Sequence, residues 1–129
     1  LKNYGIGTRA YLAVLDMEKV IANANRDVVY QALPKFPALT RDIAMLVKED
    51  VTVKEIADII KKNGGAYLEE AKLFDVYQGA QIEAGYKSVA YSITFRSAEK
   101  TLADADIADA MDKILKGLAE ELGAQLRDK

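Results

Sequence analysis

The 129-residue sequence contains no cysteine and no histidine, and each absence removes whole classes of chemistry. Without cysteine there is no disulfide bond, no thiol nucleophile and no thiolate metal ligand. Without histidine there is no imidazole general base and no Cys/His zinc site. The sequence therefore excludes the Ser–His and Cys–His arrangements on which many hydrolases depend.

Long hydrophobic runs are also lacking. The longest apolar stretches are only a few residues, far below the roughly 20 that span a bilayer. No basic segment followed by an apolar core marks a secretory signal. We therefore expect a cytoplasmic protein that makes no membrane contact. Because the first residue is Leu1 rather than methionine, we also expect the chain to be part of a longer polypeptide.

Neither sign of charge dominates the sequence. The 18 Lys and Arg residues and 20 Asp and Glu residues give a net charge of −2. A protein that coats nucleic acid without specificity is strongly basic, so this function is disfavoured. A shape-specific contact with RNA through a few residues is still compatible with the charge. The 50% hydrophobic content is typical of a globular domain.

The sequence has neither a nucleotide-binding loop nor a metal-binding loop. There is no GxxxxGK[ST] motif, and Gly5 and Gly7 lack the third glycine and the long helix of a GxGxxG motif. Clustered aspartates have the spacing of the first half of a helix, where negative charge suits the helix dipole. They are Asp104, Asp106, Asp109 and Asp112. We therefore expect no catalytic residue, cofactor or metal in this chain.

Two prolines, Pro34 and Pro37, divide the chain. Three elements are predicted before them: a buried strand over residues 10–15, a short helix over residues 16–22 and an extended stretch over residues 28–33. This opening segment has little core of its own. We therefore interpret residues 1–33 as the tail of a preceding module or a linker, and residues 34–129 as a separate domain.

After Pro37 the sequence has the periodicity of a strand followed by an amphipathic helix. In the strand, every second residue is large and apolar: Ile43, Met45 and Val47. Thr52 and Glu55 have capping-box spacing, which predicts the start of a helix. Gly64 and Gly65 predict the end of the same helix. One face of this helix is predicted to be apolar: Val53, Ile56, Ala57 and Ile60.

Two more strands, a long helix and a short final strand follow. Residues 68–77 and 87–96 predict the strands, and the second of them alternates most regularly. Its core side is predicted to consist of Val89, Tyr91, Ile93 and Phe95. The long helix has apolar positions from Ile107 to Leu122 and stops at Gly123, before a strand over residues 124–127. The order β-α-β-β-α-β predicts a ferredoxin-like α+β fold with both helices on one face of a four-stranded antiparallel sheet.

The other face of the predicted sheet is left open by the helices. By strand parity, this open face displays Asp42, Ala44, Leu46, Asp75, Tyr77, Ser88, Ala90, Ser92, Thr94 and Arg96. Its small residues let a flat ligand approach the backbone, and Tyr77 offers a ring on which an unstacked RNA base can stack. Arg96 and the nearby Lys87 are candidate phosphate contacts. The same small residues also suit close packing against another protein domain, so that alternative stays open.

Three stretches of the second domain resemble one known family. The first is KFPALTRDIA at residues 35–44, and the second is LFDVYQG at residues 73–79. The third is GYKSVAY at residues 85–91, followed by Phe95-Arg96 and by TLAD at residues 101–104. In this order they are similar to the ferredoxin-fold anticodon-binding domain at the C-terminus of the bacterial phenylalanyl-tRNA synthetase β subunit. The similarity covers residues 34–127.

The resemblance implies a parent enzyme that attaches phenylalanine to tRNA(Phe) with ATP and Mg²⁺. It implies an (αβ)₂ heterotetramer whose active site lies in the α subunit, while this domain docks on the anticodon without catalysing. The family's anticodon contacts match Tyr77, as a stacking platform, with Ala44 and Ser88 beside it. RNA contacts by Arg96 and Lys87 are our own inference. Two alternatives are a structural or subunit-interaction domain and a module that senses a small metabolite.

Overall fold

The computed structural model describes residues 2–5, 7–25, 27–30 and 32–127. The chain divides into two compact units, Leu1–Ala32 and Leu33–Lys129. The division lies next to Pro34, where the amino-acid pattern also changes.

The first unit contains little regular structure. A one-turn 3₁₀ helix covers Lys2–Tyr4, and a short helix, α1, covers Met17–Ala22. The Asp16 carboxylate caps α1 by accepting a hydrogen bond from the backbone N–H of Lys19 at 3.2 Å. The short helix predicted over residues 16–22 is therefore confirmed.

The buried strand predicted over residues 10–15 is wrong. These residues form no strand, and their side chains are exposed, with Leu12 at 93% and Val14 at 90%. Apolar character alone does not make a strand, because the backbone groups of a strand need a neighbouring strand to pair with. The described part of residues 28–33, which was predicted only to be extended, forms neither a helix nor a strand, and Gln31 lies outside the described residues.

The second unit contains the predicted sheet and helices. The strands are β1 Leu39–Lys48, β2 Leu68–Tyr77, β3 Tyr86–Phe95 and β4 Gln125–Leu126. The helices are α2 Val53–Asn63 and α3 Asp104–Leu122. The strands lie in the order β2-β3-β1-β4 and every neighbouring pair is antiparallel. The ferredoxin-like α+β fold is confirmed.

The core lies between the helices and one face of the sheet. The predicted core residues of β1 and β3 are buried, and Val47, Val89, Ile93 and Phe95 have no exposed surface. The Tyr91 hydroxyl donates a hydrogen bond to the Val53 carbonyl at 2.9 Å, which satisfies its polar end within this core. Burial raises the pKa of Tyr91, because the low-dielectric interior disfavours the phenolate.

The predicted apolar face of α2 needs one correction. Ile56 and Ile60 are fully buried, but Val53 is 41% exposed and Ile59 is buried instead. Val53 is the first residue of α2 and lies at the rim of the core. A Cβ on Gly117 of α3 would lie 3.2 Å from Ile59, so Ile59 faces the neighbouring helix. The prediction considered only the sheet-facing side of α2 and missed the helix–helix contact.

Helix ends follow the predicted signals. The Thr52 hydroxyl accepts from the Glu55 N–H at 3.2 Å, and the Glu55 carboxylate accepts from the Thr52 N–H at 2.7 Å. This is the predicted capping box. At the end of α3, Gly123 adopts φ +62°, a left-handed conformation that favours glycine.

Candidate nucleic-acid interface

The strand register brings Tyr77, Ser88 and Ala44 together on the open face. Tyr77 lies opposite Ser88 between β2 and β3, and Ser88 lies opposite Leu46 of β1. Ala44 pairs with Ala90, one row along the sheet. Ala44 is therefore a diagonal neighbour of Ser88, at about 7–8 Å, and Tyr77 is its direct neighbour, with Cβ atoms about 5 Å apart. Together they place one aromatic ring beside two small side chains.

Tyr77 is partly exposed beside these small side chains. The residue is 43% exposed at the last position of β2. The loop that follows passes against the ring at Gly79. A ring held on one side and open on the other can stack on a flat ligand without first being ordered.

Ser88 is nearly buried although it belongs to the open face. It is 8% exposed, and its hydroxyl accepts a hydrogen bond from Nη1 of Arg127 at 3.3 Å. The backbone N–H of Arg127 donates to the carbonyl of Ala44 at 2.9 Å. Arg127 therefore extends the pairing of β4 with β1, and its side chain crosses β1 to reach Ser88 on β3.

Arg127 is a site residue that was not predicted from the sequence. The strand predicted over residues 124–127 contains it, but no periodicity is readable in so short a strand. The signal that was available is parity. Arg127 and Gln125 are two residues apart, and Gln125 pairs with Leu46, which belongs to the open face.

Phe74 is a second residue that the sequence analysis missed. The register of β2 shifts between Leu73, which pairs with Tyr91, and Asp75, which pairs with Ala90. Phe74 is the extra residue of this β-bulge and is 57% exposed. The available signal was the adjacent pair Leu73-Phe74, since two large apolar residues in succession break strict alternation.

A shallow cavity of about 500 Å³ opens beside these residues. Its lining consists of Asp42, Ile43, Ala44, Phe74 and Arg127. An aromatic ring, a guanidinium and a carboxylate therefore line the same cavity as Ala44. These groups can contact a ring system, an anion and a hydrogen-bond donor, but they do not form an acid–base pair of the kind that catalysis uses.

Lys87 is not brought to the open face. It pairs with Val47, whose side chain is in the core, so Lys87 shares the helix-side parity. Its ammonium donates to the backbone carbonyls of Glu49 at 2.9 Å and Val51 at 2.5 Å. The side chain thus ties down the loop between β1 and α2, and its RNA contact stays a prediction.

Arg96 has open-face parity but lies far from Tyr77. It is eight residues beyond Ser88, about 26 Å along an extended strand. Its Nε donates to the Glu69 carboxylate at 2.9 Å, and its Nη1 donates to the carbonyl of Phe36 at 3.0 Å. The charge is therefore neutralised locally, and the side chain fixes the segment before β1. An RNA contact by Arg96 likewise stays a prediction, at a place separate from the Tyr77 surface.

Perturbed carboxylates in the structure belong to helix starts rather than to this surface. Hydrogen bonds from the Thr52 backbone and then its hydroxyl lower the pKa of Glu55. A hydrogen bond from Lys100 and another from the Ala103 backbone lower the pKa of Asp106.

Within residues 2–5, 7–25, 27–30 and 32–127, no group of three or more carboxylates is placed to hold a metal ion. None of the helices described is long and apolar enough to cross a membrane.

Comparison with known proteins identifies the domain. The sequence profile of the ferredoxin-fold anticodon binding domain matches residues 34–127. This chain belongs to that family. The resemblance of the three motifs is thereby confirmed, and the matched range begins at the predicted boundary, Pro34.

Proteins similar to this chain include β subunits of phenylalanine–tRNA ligases from several bacteria. The chain is 50% identical over 127 residues to the enzyme subunit of Clostridium tetani and 46% identical over 126 residues to that of Clostridium acetobutylicum. Each match covers 98% of this chain and 16% of the relative. The subunit of Lactiplantibacillus plantarum is 44% identical over 117 residues, which cover 91% of this chain and 14% of the relative. The chain thus spans about one sixth of the length of these proteins.

Proposed function

We propose that this chain is the anticodon-binding part of a phenylalanine–tRNA ligase β subunit. The observation that supports it best is the row of Tyr77 and Ser88, with Ala44 diagonal to it, on the open sheet face of a member of an anticodon-binding family. In this proposal, one anticodon base lies on the Tyr77 ring, and the small side chains at positions 88 and 44 let the base approach the sheet.

Binding in this way positions tRNA(Phe) rather than transforming it. The stacked base is worth about 1–3 kcal/mol, which selects an RNA whose loop can present an unstacked base. Phenylalanine is then joined to the tRNA at the α subunit of a cytoplasmic (αβ)₂ ligase. ATP and Mg²⁺ act there, and no residue of this chain takes part in the chemistry.

The charge of the domain implies help from the rest of the ligase. Residues 34–129 contain 14 basic and 17 acidic residues, a net charge of −3. Phosphate neutralisation supplies a large share of the affinity of nucleic-acid-binding proteins. We therefore expect weak tRNA binding by this chain alone and assign most phosphate contacts to other parts of the enzyme.

Residues 1–33 belong, in this proposal, to the end of the preceding module of the β subunit. Large apolar side chains are exposed along this segment: Tyr11, Leu12, Val14, Leu15, Val28, Val29, Tyr30 and Leu33. Large apolar side chains exposed in this number are normally covered by protein. The relatives are about six times longer than this chain, so the rest of the β subunit is the natural cover.

A steric block at Ser88 tests the proposed function. In the intact ligase whose β subunit carries this chain, Ser88→Phe should raise the KM for tRNA(Phe) about tenfold or more, because the ring fills the space beside Tyr77. Activation of phenylalanine, measured by ATP–pyrophosphate exchange, should not change. The matched control is Ser92→Phe, which adds the same ring to the same face of β3, about 13 Å along the strand.

The same experiment distinguishes RNA binding from the alternative function, in which the open face packs against protein. If Ser88→Phe leaves the KM for tRNA unchanged and instead separates the subunits in analytical ultracentrifugation, the open face packs against protein and the RNA assignment is wrong. Circular dichroism of each variant distinguishes either result from unfolding of the domain.

A further inference from the structure

Arg127 is placed where a cation can meet an RNA held by Tyr77. Its guanidinium contacts the Ser88 hydroxyl, and Ser88 is the direct cross-strand neighbour of Tyr77. The side chain crosses β1 next to Ala44, to whose carbonyl its own backbone is bonded. A residue larger than alanine at position 44 would compete with Arg127 for this space. The small side chain of Ala44 therefore leaves room for the guanidinium.

The charge of Arg127 is not neutralised by a carboxylate within the described part of the chain. Arg41 pairs with Asp104, and Arg96 pairs with Glu69. For Arg127, by contrast, the side-chain partner found in the structure is a neutral hydroxyl at 3.3 Å. Asp42 borders the same cavity but forms no ion pair with Arg127. The guanidinium therefore keeps donors and charge for another anion.

We propose that Arg127 binds a backbone phosphate of the RNA, next to the base stacked on Tyr77. The inference rests on the proposed function and adds a phosphate contact to it. An arginine fork can donate two parallel hydrogen bonds to phosphate oxygens, which a lysine point charge cannot do. In a domain of net negative charge, this cation puts a positive charge at the place where the nucleotide must approach.

Salt dependence of tRNA binding tests the phosphate contact directly. Each phosphate neutralised on a single strand contributes about 0.7 to the slope of log affinity against log salt. In the intact ligase, Arg127→Gln should reduce this slope by about 0.7. If the variant and the wild type bind equally at about 1 M salt, this change in slope makes the variant bind about fivefold more weakly at 0.1 M salt. Arg127→Lys should keep most of the slope.

The charge-matched control is Lys61→Gln. Lys61 is exposed in the last turn of α2, on the helix side of the domain, and the substitution removes the same unit of charge. It should leave the slope unchanged. Thermal unfolding of each variant checks that the domain remains folded, since the backbone bond from residue 127 to Ala44 is retained in every case.

Two results would overturn the phosphate contact. An unchanged slope with Arg127→Gln, with or without loss of affinity, would mean that the guanidinium meets no phosphate. A slope reduced equally by Lys61→Gln would mean that only the general field of the domain is measured. Tyr77→Ala, assayed in parallel, separates the two proposals: if it weakens binding while Arg127→Gln does nothing, the inference on Arg127 fails and the proposed function stands.

Discussion

Gly79 lies so close to the ring of Tyr77 that a side chain at position 79 would have to displace the ring. A Cβ on Gly79 would lie 2.5 Å from Cζ of Tyr77 and 3.1 Å from Cε1, and closer still to the hydroxyl oxygen. Gly79 is not among the glycines with positive φ, so close approach rather than backbone conformation requires glycine here. The loop after β2 therefore sets the position of the ring.

Gly79→Ala should displace the Tyr77 ring and weaken tRNA(Phe) recognition. Losing one stacked base costs about 1–3 kcal/mol of binding free energy. We expect Gly79→Ala to lose part of this free energy, which raises the KM for tRNA. Steady-state charging by the intact ligase measures it. Gly7→Ala is the control, because a Cβ on Gly7 meets nothing within 4 Å.

The effect of Gly79→Ala should disappear when Tyr77 is already alanine. A double-mutant cycle of the two positions measures this coupling. If Gly79→Ala raises the KM equally with and without the tyrosine ring, the loop contributes to binding in its own right and the positioning role is wrong.

Phe95→Ala should destabilise the domain by about 3–5 kcal/mol, because it removes a fully buried aromatic side chain. Denaturant unfolding measures the change. Phe74→Ala is the matched control, since Phe74 is 57% exposed and its loss should cost less than about 1 kcal/mol. Equal losses at the two positions would contradict the assignment of the two sheet faces.

Ala103→Ser should stabilise α3. Ala103 is the N-cap, and its backbone N–H already donates to the Asp106 carboxylate at 2.8 Å, but its side chain supplies no acceptor. A serine hydroxyl would complete the capping box, worth about 0.5–1 kcal/mol. The denaturation midpoint should rise with an unchanged slope, and an unchanged or lower midpoint would show that the cap is already satisfied.

Glu55 should make part of the stability of the domain depend on pH. Its pKa is lowered in the folded protein from an ordinary value of 4.5 by hydrogen bonds from Thr52. A lowered folded pKa means that the stabilisation is complete above about pH 4.5 and is lost as the pH falls through the folded value. Glu55→Gln keeps an acceptor without the charge, so the variant should be less stable than wild type at pH 7 and approach it at pH 3.

Urea unfolding at the two pH values checks this prediction. Glu120→Gln, in α3 and outside any capping box, is the control for loss of a surface charge. A Glu55→Gln difference that is the same at pH 7 and pH 3 would contradict a contribution from the ionised cap.

Local signals predicted the second unit well because there they agree with long-range packing. The alternation of β3, the box of Thr52 and Glu55 and the stop at Gly123 are all short-range patterns, and each was confirmed. Residues 10–15 show the opposite case. Their apolar run predicts a strand, but no partner strand in the described chain pairs with them.

The candidate site was only partly predictable for a related reason. Parity placed Tyr77, Ser88 and Ala44 on one face, the family resemblance put them side by side, and the strand register makes them neighbours. The exposure of Phe74 depends on a bulge in one strand pair, and the reach of Arg127 depends on how β4 docks on β1. Both arise from pairing between distant segments, which periodicity along one segment does not encode.

The most direct test of the proposed function is the kcat/KM of tRNA(Phe) charging with Tyr77→Ala in the intact ligase. We expect a decrease of about five- to 150-fold, corresponding to one stacked base at about 1–3 kcal/mol. Tyr77→Phe should retain most of the activity, because the ring remains. ATP–pyrophosphate exchange and domain stability should be unchanged. Charging by Tyr77→Ala at the wild-type rate would contradict the stacking role of Tyr77 and favour a face that packs against protein.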